Sequence, residues 1–455
     1  MEMILEFLRD VLSQPALLIG IMSCVGLIAL KRPFHKIMTG TLKPILGYLM
    51  LAAGAGVIVS NLDPLGKMIE HGFHITGVVP NNEAIVAVAQ KVLGVETMSI
   101  LVVGLLMNLL IARFTKFKYV FLTGHHSLFM ACLMSAVLGT AGLSGIELIL
   151  VGGFLMGAWS AISPAIGQSY TSKVTDGDEI ALGHFGSLGY YLSAWVAKYV
   201  GKAEESTEDI EIPEKWGFLR DSTLSTALTM IVFYLIAAIA AGSEFVSTLS
   251  GSMSPYLFAV MSAMNFAVGV AIVYSGVRMI LGDLIPAFQG IATKIIPNAI
   301  PAVDCAVFFT YAPTAVVLGF ISSFIGGIIG MLILGAVGGV LIIPGLVPHF
   351  FCGATAGIYG NATGGRRGAA VGAFLNGLAI TFLPALALPV LGQLGFQNTT
   401  FGDADFAVMG LVLGNAFEWI GMAGIYGVVV IAALVLIIPN LIKTKGKVIN
   451  YVEEE

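Results

Sequence analysis

The sequence predicts an all-α, polytopic membrane fold, and three features of its composition support this. Of its 455 residues, 57% are hydrophobic and 11% are charged, whereas soluble domains carry roughly 25% charged residues. The apolar segments reach about 20 residues, which is enough for a helix to cross a hydrocarbon core of about 30 Å. Glycine occurs 56 times, and small residues let membrane helices pack closely and break without steric cost. Together these features favour a transport protein built from interrupted helices.

Apolar spans are distributed along the whole chain, and we expect nine to eleven crossings within one integral-membrane domain that covers residues 1–455. The clearest spans are 17–30, 45–59, 98–111, 121–138, 146–162, 224–241, 256–280, 312–335, 369–391 and 408–438, the last with a bend. The stretch 61–94 is too polar for an ordinary span. The main hydrophilic interval, 169–221, is predicted to be cytoplasmic, and within it 180–200 predicts a short re-entrant or surface-lying helix.

Basic residues near the span ends predict the orientation, because translocating lysine and arginine across a membrane is unfavourable. Clusters that would share one side occur at 31–36, 113–118, 198–220, 278–294, 366–367 and 443–447. The opposite loops, 61–94, 141–145 and 392–407, hold only Lys67 and Lys91. We therefore expect a multi-pass protein of the bacterial inner membrane, with its N-terminus outside and its C-terminus in the cytoplasm.

Two regions interrupt the hydropathy pattern in a similar way. Pro80 is followed after three residues by Glu83, and Pro301 is followed after three residues by Asp304. Paired interruptions in the two halves of a chain point to inverted repeats with a substrate site where the helices break. Such a short likeness also arises by chance, so an acid that caps a broken helix is the alternative interpretation.

Ionisable side chains at membrane depth are the candidates for a binding site, since each costs about 2.5–3.5 kcal/mol to insert. Glu83 and Asp304 offer carboxylates that suit the hydroxyls of a polyol, or that carry protons. His125 and His184 can donate and accept hydrogen bonds without adding a fixed charge. His126 is the weaker candidate, because a histidine at a span end is common at the membrane interface.

Several other residues and motifs favour ordinary structural roles. Arg366 and Arg367 predict a positive-inside stop signal, and His349 an interfacial position. The four cysteines are predicted to be free thiols, with no metal site and no cofactor. The chain holds no Walker motif, no metalloprotease or lipase motif, no potassium-channel filter and no basic stripe for nucleic acid.

Taken in order along the chain, several motifs resemble one known family. They lie at 123–125, 175–177, 183–184, 204–209, 276–279, 302–306, 312–317 and 342–345. The sequence is similar to the membrane permease component, enzyme IIC, of the ascorbate-specific phosphotransferase system (the UlaA/SgaT family). The resemblance implies a homodimer of protomers with about eleven spans, each with a core domain, two re-entrant hairpins, pseudo-inverted repeats and a scaffold domain.

The resemblance also implies a function and a ligand set. The family carries L-ascorbate inward by an elevator-type movement, and a cytosolic partner, enzyme IIB, phosphorylates it, so the permease has no catalytic residues of its own. The matching substrate-binding positions are Asn82, Glu83, His125, His184 and Asp304. Phe129 and Phe185 stand where the family has glutamines, so a related sugar acid or polyol is the second choice of cargo.

Two other function classes stay open on the sequence alone. The first is a proton-coupled secondary transporter for a small polar solute, with Glu83 or Asp304 as the proton carrier. The second is a receptor or scaffold that transports nothing, which leaves the paired helix breaks unexplained.

Overall fold

The computed structural model describes residues 14–73, 78–80, 82–177, 180–210, 222–294, 296–392 and 399–441, with Val11 before them. These ranges contain thirteen α-helices, five short strands and one 3₁₀ helix. The helices are α1 (Pro15–Ala29), α2 (Phe34–Phe73), α3 (Asn82–Phe114), α4 (Gly124–Thr140), α5 (Gly145–Thr175), α6 (Ser187–Val200), α7 (Ser222–Ala241), α8 (Ser243–Ser250), α9 (Pro255–Lys294), α10 (Pro313–Ala336), α11 (Leu346–Gly392), α12 (Ala404–Ile420) and α13 (Met422–Leu441). The strands are β1 (Val79–Pro80), β2 (Tyr119–Phe121), β3 (Ala181–Leu182), β4 (Ile300–Val303) and β5 (Thr399–Thr400), and the 3₁₀ helix is η1 (Cys305–Thr310).

The helix content confirms a polytopic membrane protein. Six helices of the described ranges are long and apolar enough to cross a membrane, or seven spans if α7 and α8, bent by 117°, form one. The predicted bend in the last span lies at Gly421, between α12 and α13. The expectation of a purely α-helical chain needs one correction, because five strands of two to four residues interrupt the helices.

Helix α11 is too long to be a single straight membrane segment. A straight helix of its 47 residues would measure roughly 70 Å, more than twice the thickness of a hydrocarbon core. The backbone leaves the helical region at Gly364 and Gly365, and a Cβ at Gly360 would meet the carbonyl of Gly368, so the helix is sharply broken at this point. Arg366 and Arg367 are exposed directly after this break.

The helices form two groups that pack mainly within themselves. The first group contains α1, α2, α7, α8 and α9, with α2 packed along α9. The second group contains α3 to α6 and α10 to α13, with α11 packed between α6 and α10. The groups touch where α9 meets η1 and β4, where α2 meets α11, where α7 meets α10 and where α1 meets α4.

Two small parallel sheets lie within the second group. The first has the order β2, β4, β3, with Tyr119 paired to Ile300 and Ala181 to Ala302. The second pairs β1 with β5, and Val78 forms a parallel bridge to Ile342. In both sheets, every pairing joins a strand from the first half of the chain to one from the second half. Each of the five strands leads within a few residues into a helix.

Side-chain amides complete the outer edges of the first sheet. Asn108 of α3 donates to the carbonyl of Tyr119 at 3.1 Å and accepts from the amide of Phe121 at 2.9 Å. Gln168 of α5 donates to the carbonyl of Ile180 at 3.1 Å. An open strand edge is not tolerated in hydrocarbon, because each unpaired backbone group costs several kcal/mol. These amides let a short sheet exist inside a helical membrane protein.

Three expectations about exposed segments are wrong in the structure. The piece 180–200 is not surface-lying, because it forms β3 and α6 and packs on α11. The predicted outer loop 392–407 turns inward from Thr400, so that Asp403 and Asp405 are buried. His349 is also buried, and its Nδ1 lies 2.9 Å from the hydroxyl of Ser323. Hydropathy alone misplaces such segments, since polar residues that pair with each other inside a protein are counted as if they faced water.

The break in α11 requires glycine at position 365, and alanine there is expected to destabilise the protein. Gly365 has φ 60° and ψ −157°, a region that costs other residues about 1–3 kcal/mol. A Cβ would also lie 2.2 Å from the carbonyl oxygen of Lys202 and 2.4 Å from that of Glu205. We expect Gly365→Ala to lower the midpoint of thermal unfolding in detergent.

Gly421 provides a matched control, because it has φ 66° and ψ −147° but no atom within 4 Å of the position that a Cβ would take. Gly421→Ala should introduce backbone strain alone and shift the midpoint less. Equal shifts for both variants would show that the contact with the segment after α6 contributes nothing.

Candidate functional site

The ends of the strands bring a cluster of polar side chains together. His125 and His126 begin α4 just after β2, His184 follows β3, and Asp304 follows β4. Because these three strands are parallel and paired, the residues after them meet at one edge of the sheet. A Cβ at Gly183 would meet the carbonyl oxygen of Ala302 in β4. Glycine at this position therefore lets the chain that leads to His184 run close beside β4.

His125 connects two other side chains. Its Nε2 lies 3.4 Å from Oδ2 of Asp304, and its Nδ1 lies 3.0 Å from the hydroxyl of Tyr48. The Asp304 carboxylate also accepts from the amide of Ala306 at 3.4 Å, at the start of η1. About a third of the imidazole of His125 is exposed, against 12% of the Asp304 side chain. The pair therefore lies at the edge of the cluster that solvent or a ligand can reach.

His126 and His184 form the buried centre of the cluster. Their ring centroids are 3.7 Å apart, and both residues are less than 5% exposed. Nδ1 of His126 accepts from the backbone amide of Phe185 at 3.2 Å, and Nδ1 of His184 accepts from that of Gly186 at 3.1 Å. A backbone amide can only donate, so in each neutral ring the proton sits on Nε2. Both imidazoles are thereby fixed as N–H donors.

The second sheet contributes Asn82 and Asp403 to the same cluster. Asn82, at the start of α3, donates to Oδ2 of Asp403 at 2.7 Å and accepts from the amide of Gly402 at 2.9 Å. Oδ1 of Asp403 lies 3.8 Å from Nδ1 of His184 and 3.0 Å from the thiol of Cys352. The residues that follow the strands of both sheets thus meet at His184.

Asp405 holds two helix starts together beside this cluster. Its carboxylate accepts from the hydroxyl of Ser187 at 2.7 Å, the amide of Leu188 at 2.9 Å and the indole of Trp159 at 3.1 Å. Its own amide donates to the carbonyl of Phe185 at 2.9 Å. The first turn of α6 has free amides that need an acceptor, and a carboxylate from α12 supplies it. Asp405 therefore positions the segment that carries His184.

An aromatic wall encloses one side of the histidine pair. His126 lies against Phe406 with ring centroids 5.5 Å apart and an interplanar angle of 19°. Phe185 stacks on Phe121 at 4.5 Å, and Phe129 lies 5.8 Å from His125. Phe129 and Phe185, which stand where the resembled family has glutamines, are both buried in this wall. The two phenylalanines that differ from the resembled family therefore belong to one apolar surface.

The structure unites most of the residues predicted from the sequence. His125, His184 and Asp304 lie in one cluster, and Asn82 joins them through Asp403. The backbone of Glu83 lies in α3, but its side chain falls outside the described residues. The sequence interpretation undervalued His126, which lies at the buried centre, and it missed Asp403 and Asp405. In the sequence, Asp403 and Asp405 could have been recognised as a pair of acidic residues that directly precedes an apolar span.

Two groups of side chains in the described ranges have metal-ligating spacing. His126, His184 and Asp403 form one, and His184, Asp304 and Cys305 form the other, each with ligand atoms within 4.8 Å of one another. The backbone donors on Nδ1 leave only protonated Nε2 atoms in the two neutral rings. A metal would need an unprotonated nitrogen from each ring, so the hydrogen bonds favour a ligand that accepts from N–H groups.

Comparisons with known proteins identify the family. The family model EIIC-GAT, described as the phosphotransferase system (PTS) sugar-specific permease component, matches residues 10–405. The chain belongs to this permease family. It is also 26% identical over 417 residues to the "Ascorbate-specific PTS system EIIC component" of Mycoplasma pneumoniae, an alignment that covers 78% of this chain. The permease spans 62% of the length of that relative.

Family membership and the apolar helices agree on the broad class of protein. The permease is a multi-pass membrane protein of a sugar phosphotransferase system, as the sequence motifs predicted. It is a transport component. The cluster around His184 is its candidate substrate site.

Proposed function

We propose that the permease carries L-ascorbate inward across the bacterial inner membrane as the enzyme IIC component of its phosphotransferase system. One observation carries the proposal: His125, His184 and Asp304 share a single cluster where the strands of the first sheet end. Chain breaks at membrane depth, with polar groups that meet there, are the usual architecture of a transporter substrate site. The similarity to the ascorbate-specific relative supports the choice of cargo.

The chemistry of the cluster suits a small ring that carries hydroxyl groups. His126 and His184 are fixed donors, and Asp304 is an acceptor. In the described ranges, the buried hydroxyls of Thr123 and Thr400 have no hydrogen-bond partner, and a hydroxyl left in this way is costly unless a ligand or water pairs with it. The buried rings of the aromatic wall make the surroundings of the cluster apolar. Ascorbate is the first choice, and another sugar acid or polyol is the second.

The proposed mechanism uses the two helix groups as a scaffold and a core. The first group would be the scaffold that forms a homodimer, and the second group would be the core that carries the substrate. Pseudo-inverted repeats are supported by the exchange of strands between the two halves of the chain. With two re-entrant hairpins and about eleven spans per protomer, the core would slide against the scaffold in an elevator-type movement.

Phosphorylation would make the transport directional. A cytosolic enzyme IIB would phosphorylate the arriving substrate, and the charged product would not re-enter an apolar path. The basic clusters favour an N-terminus outside and a C-terminus in the cytoplasm. Within the predicted cytoplasmic interval 169–221, the segment 202–210 after α6, which is largely exposed, would then face the cytoplasm and contribute to the docking surface for enzyme IIB.

Proton-coupled secondary transport is the second candidate function. The buried approach of Asp403 to His184, at 3.8 Å, is a place where a proton could be held during a transport cycle. Uptake in cells that lack the cytosolic phosphotransferase proteins separates the two mechanisms. Accumulation that persists in those cells and collapses with an uncoupler would favour proton coupling.

His184→Ala tests whether the cluster binds the substrate. Removing the imidazole deletes a fixed donor, so we expect the affinity for radiolabelled ascorbate in detergent to fall at least tenfold. The matched control is His71→Ala, because His71 stacks on Phe245 within the first helix group. Wild-type affinity in His184→Ala, with the control also unchanged, would reject His184 as a ligand.

A further inference from the structure

One hydrogen bond joins the candidate site to the other helix group. Tyr48 belongs to α2 in the first group, and its hydroxyl lies 3.0 Å from Nδ1 of His125, at the start of α4 in the second group. Tyr48 is only 8% exposed, so its hydroxyl is held in a packed interface. Buried hydroxyls of this kind contribute to stability only when they are paired.

The contacts with Tyr48 and Asp304 together indicate which nitrogen of His125 carries the proton. When Nδ1 accepts from Tyr48, the neutral ring is protonated on Nε2. Nε2 is the atom that lies 3.4 Å from the carboxylate of Asp304, which can only accept when it is ionised. Each contact from Tyr48 through His125 to Asp304 therefore pairs a donor with an acceptor. These contacts orient His125 and Asp304, the more accessible side chains of the cluster.

We propose that Tyr48 is a positioning residue for the substrate site, contributed by the helix group that does not carry the site. It acts through His125, which it holds in the orientation and tautomer that the ligand meets. This inference rests on the proposed function. If the core slides against the scaffold, the contact must also break in each transport cycle, so the site would be fully formed only in the conformation where Tyr48 reaches it.

Tyr48→Phe removes the hydroxyl and retains the ring, so the packing of α2 is preserved. We expect ascorbate to bind three- to tenfold more weakly in detergent. The matched control is Tyr234→Phe, because the hydroxyl of Tyr234 in α7 donates to the carbonyl of Asn61 within the first group. That variant should bind as the wild type does, and thermal unfolding of all variants checks that they fold.

A double-mutant cycle separates positioning from a general structural role. In a His125→Ala background, Tyr48→Phe should have no further effect on affinity. Wild-type affinity in Tyr48→Phe, or an equal loss in both backgrounds, would overturn the inference. Failure of the proposed function is distinguishable, since in that case the wild-type protein would not bind ascorbate, or Asp304→Asn and His184→Ala would bind it as tightly as the wild type does.

Discussion

Asp304→Asn is expected to weaken ascorbate binding about ten- to a hundredfold. The substitution preserves the shape of the side chain and an oxygen that can accept from Ala306. It removes the negative charge that faces Nε2 of His125 at 3.4 Å, and it replaces one acceptor by a donor. Hydrogen bonds to charged groups are worth about 1.5–3 kcal/mol, and each 1.4 kcal/mol is a factor of ten in affinity. Equilibrium binding of radiolabelled ascorbate to the purified protein measures the effect.

The control for this variant is Asp63→Asn in α2. Asp63 forms an exposed pair with Lys67 at 2.8 Å, and exposed pairs contribute little. We expect the control to bind ascorbate as the wild type does. If Asp304→Asn kept wild-type affinity while remaining folded, the carboxylate would have a capping role only, which is the alternative that the Pro-x-x-acid pattern left open.

Asp405→Ala is expected to cause the largest loss of stability. Three donors converge on its buried carboxylate, from Ser187, Leu188 and Trp159. Removing the acceptor leaves these groups unpaired in the interior, which costs about 3 kcal/mol or more. The first turn of α6 would lose its cap, and His184 would lose its fixed position. Thermal unfolding in detergent should therefore show a lower midpoint, and ascorbate binding should weaken as well.

Asp209→Ala tests whether this loss is specific to the buried carboxylate. Asp209 is exposed in the segment after α6, where a substitution is expected to change stability by less than about 0.5 kcal/mol. An unfolding midpoint for Asp405→Ala as high as that of Asp209→Ala would contradict the capping role. In that case the three hydrogen bonds would have no net effect on stability.

The sequence predicted the membrane class and most spans because hydropathy reports directly on the solvent that a helix faces. The same signal failed where polar groups satisfy each other inside the protein. Residues 392–407 were predicted as an outer loop, yet Asp403 pairs with Asn82 and Asp405 caps α6. The five strands have two to four residues each, too few for a recognisable alternation of side chains. Their pairing depends on contacts between distant parts of the chain, which no local pattern reports.

The sequence predicted three of the residues in the candidate site, but it did not predict the buried position of His126 or the contact of Tyr48. The cost of an ionisable group in a membrane identified His125, His184 and Asp304, and the structure brings them together. His126 follows His125 directly, so its burial depends on the direction in which α4 leaves β2, which a single sequence does not specify. Tyr48 lies in a helix from the other group, and aromatic residues are common in such helices. Only the packing of the two groups reveals its contact with His125.

A cryo-electron microscopy structure of the protein in lipid nanodiscs with saturating ascorbate is the most direct test of the proposed site. We predict ligand density within hydrogen-bond distance of His125, His184 and Asp304, against the aromatic wall that contains Phe185. Density elsewhere, or these three side chains directed at lipid with no shared pocket, would contradict ascorbate binding in this cluster.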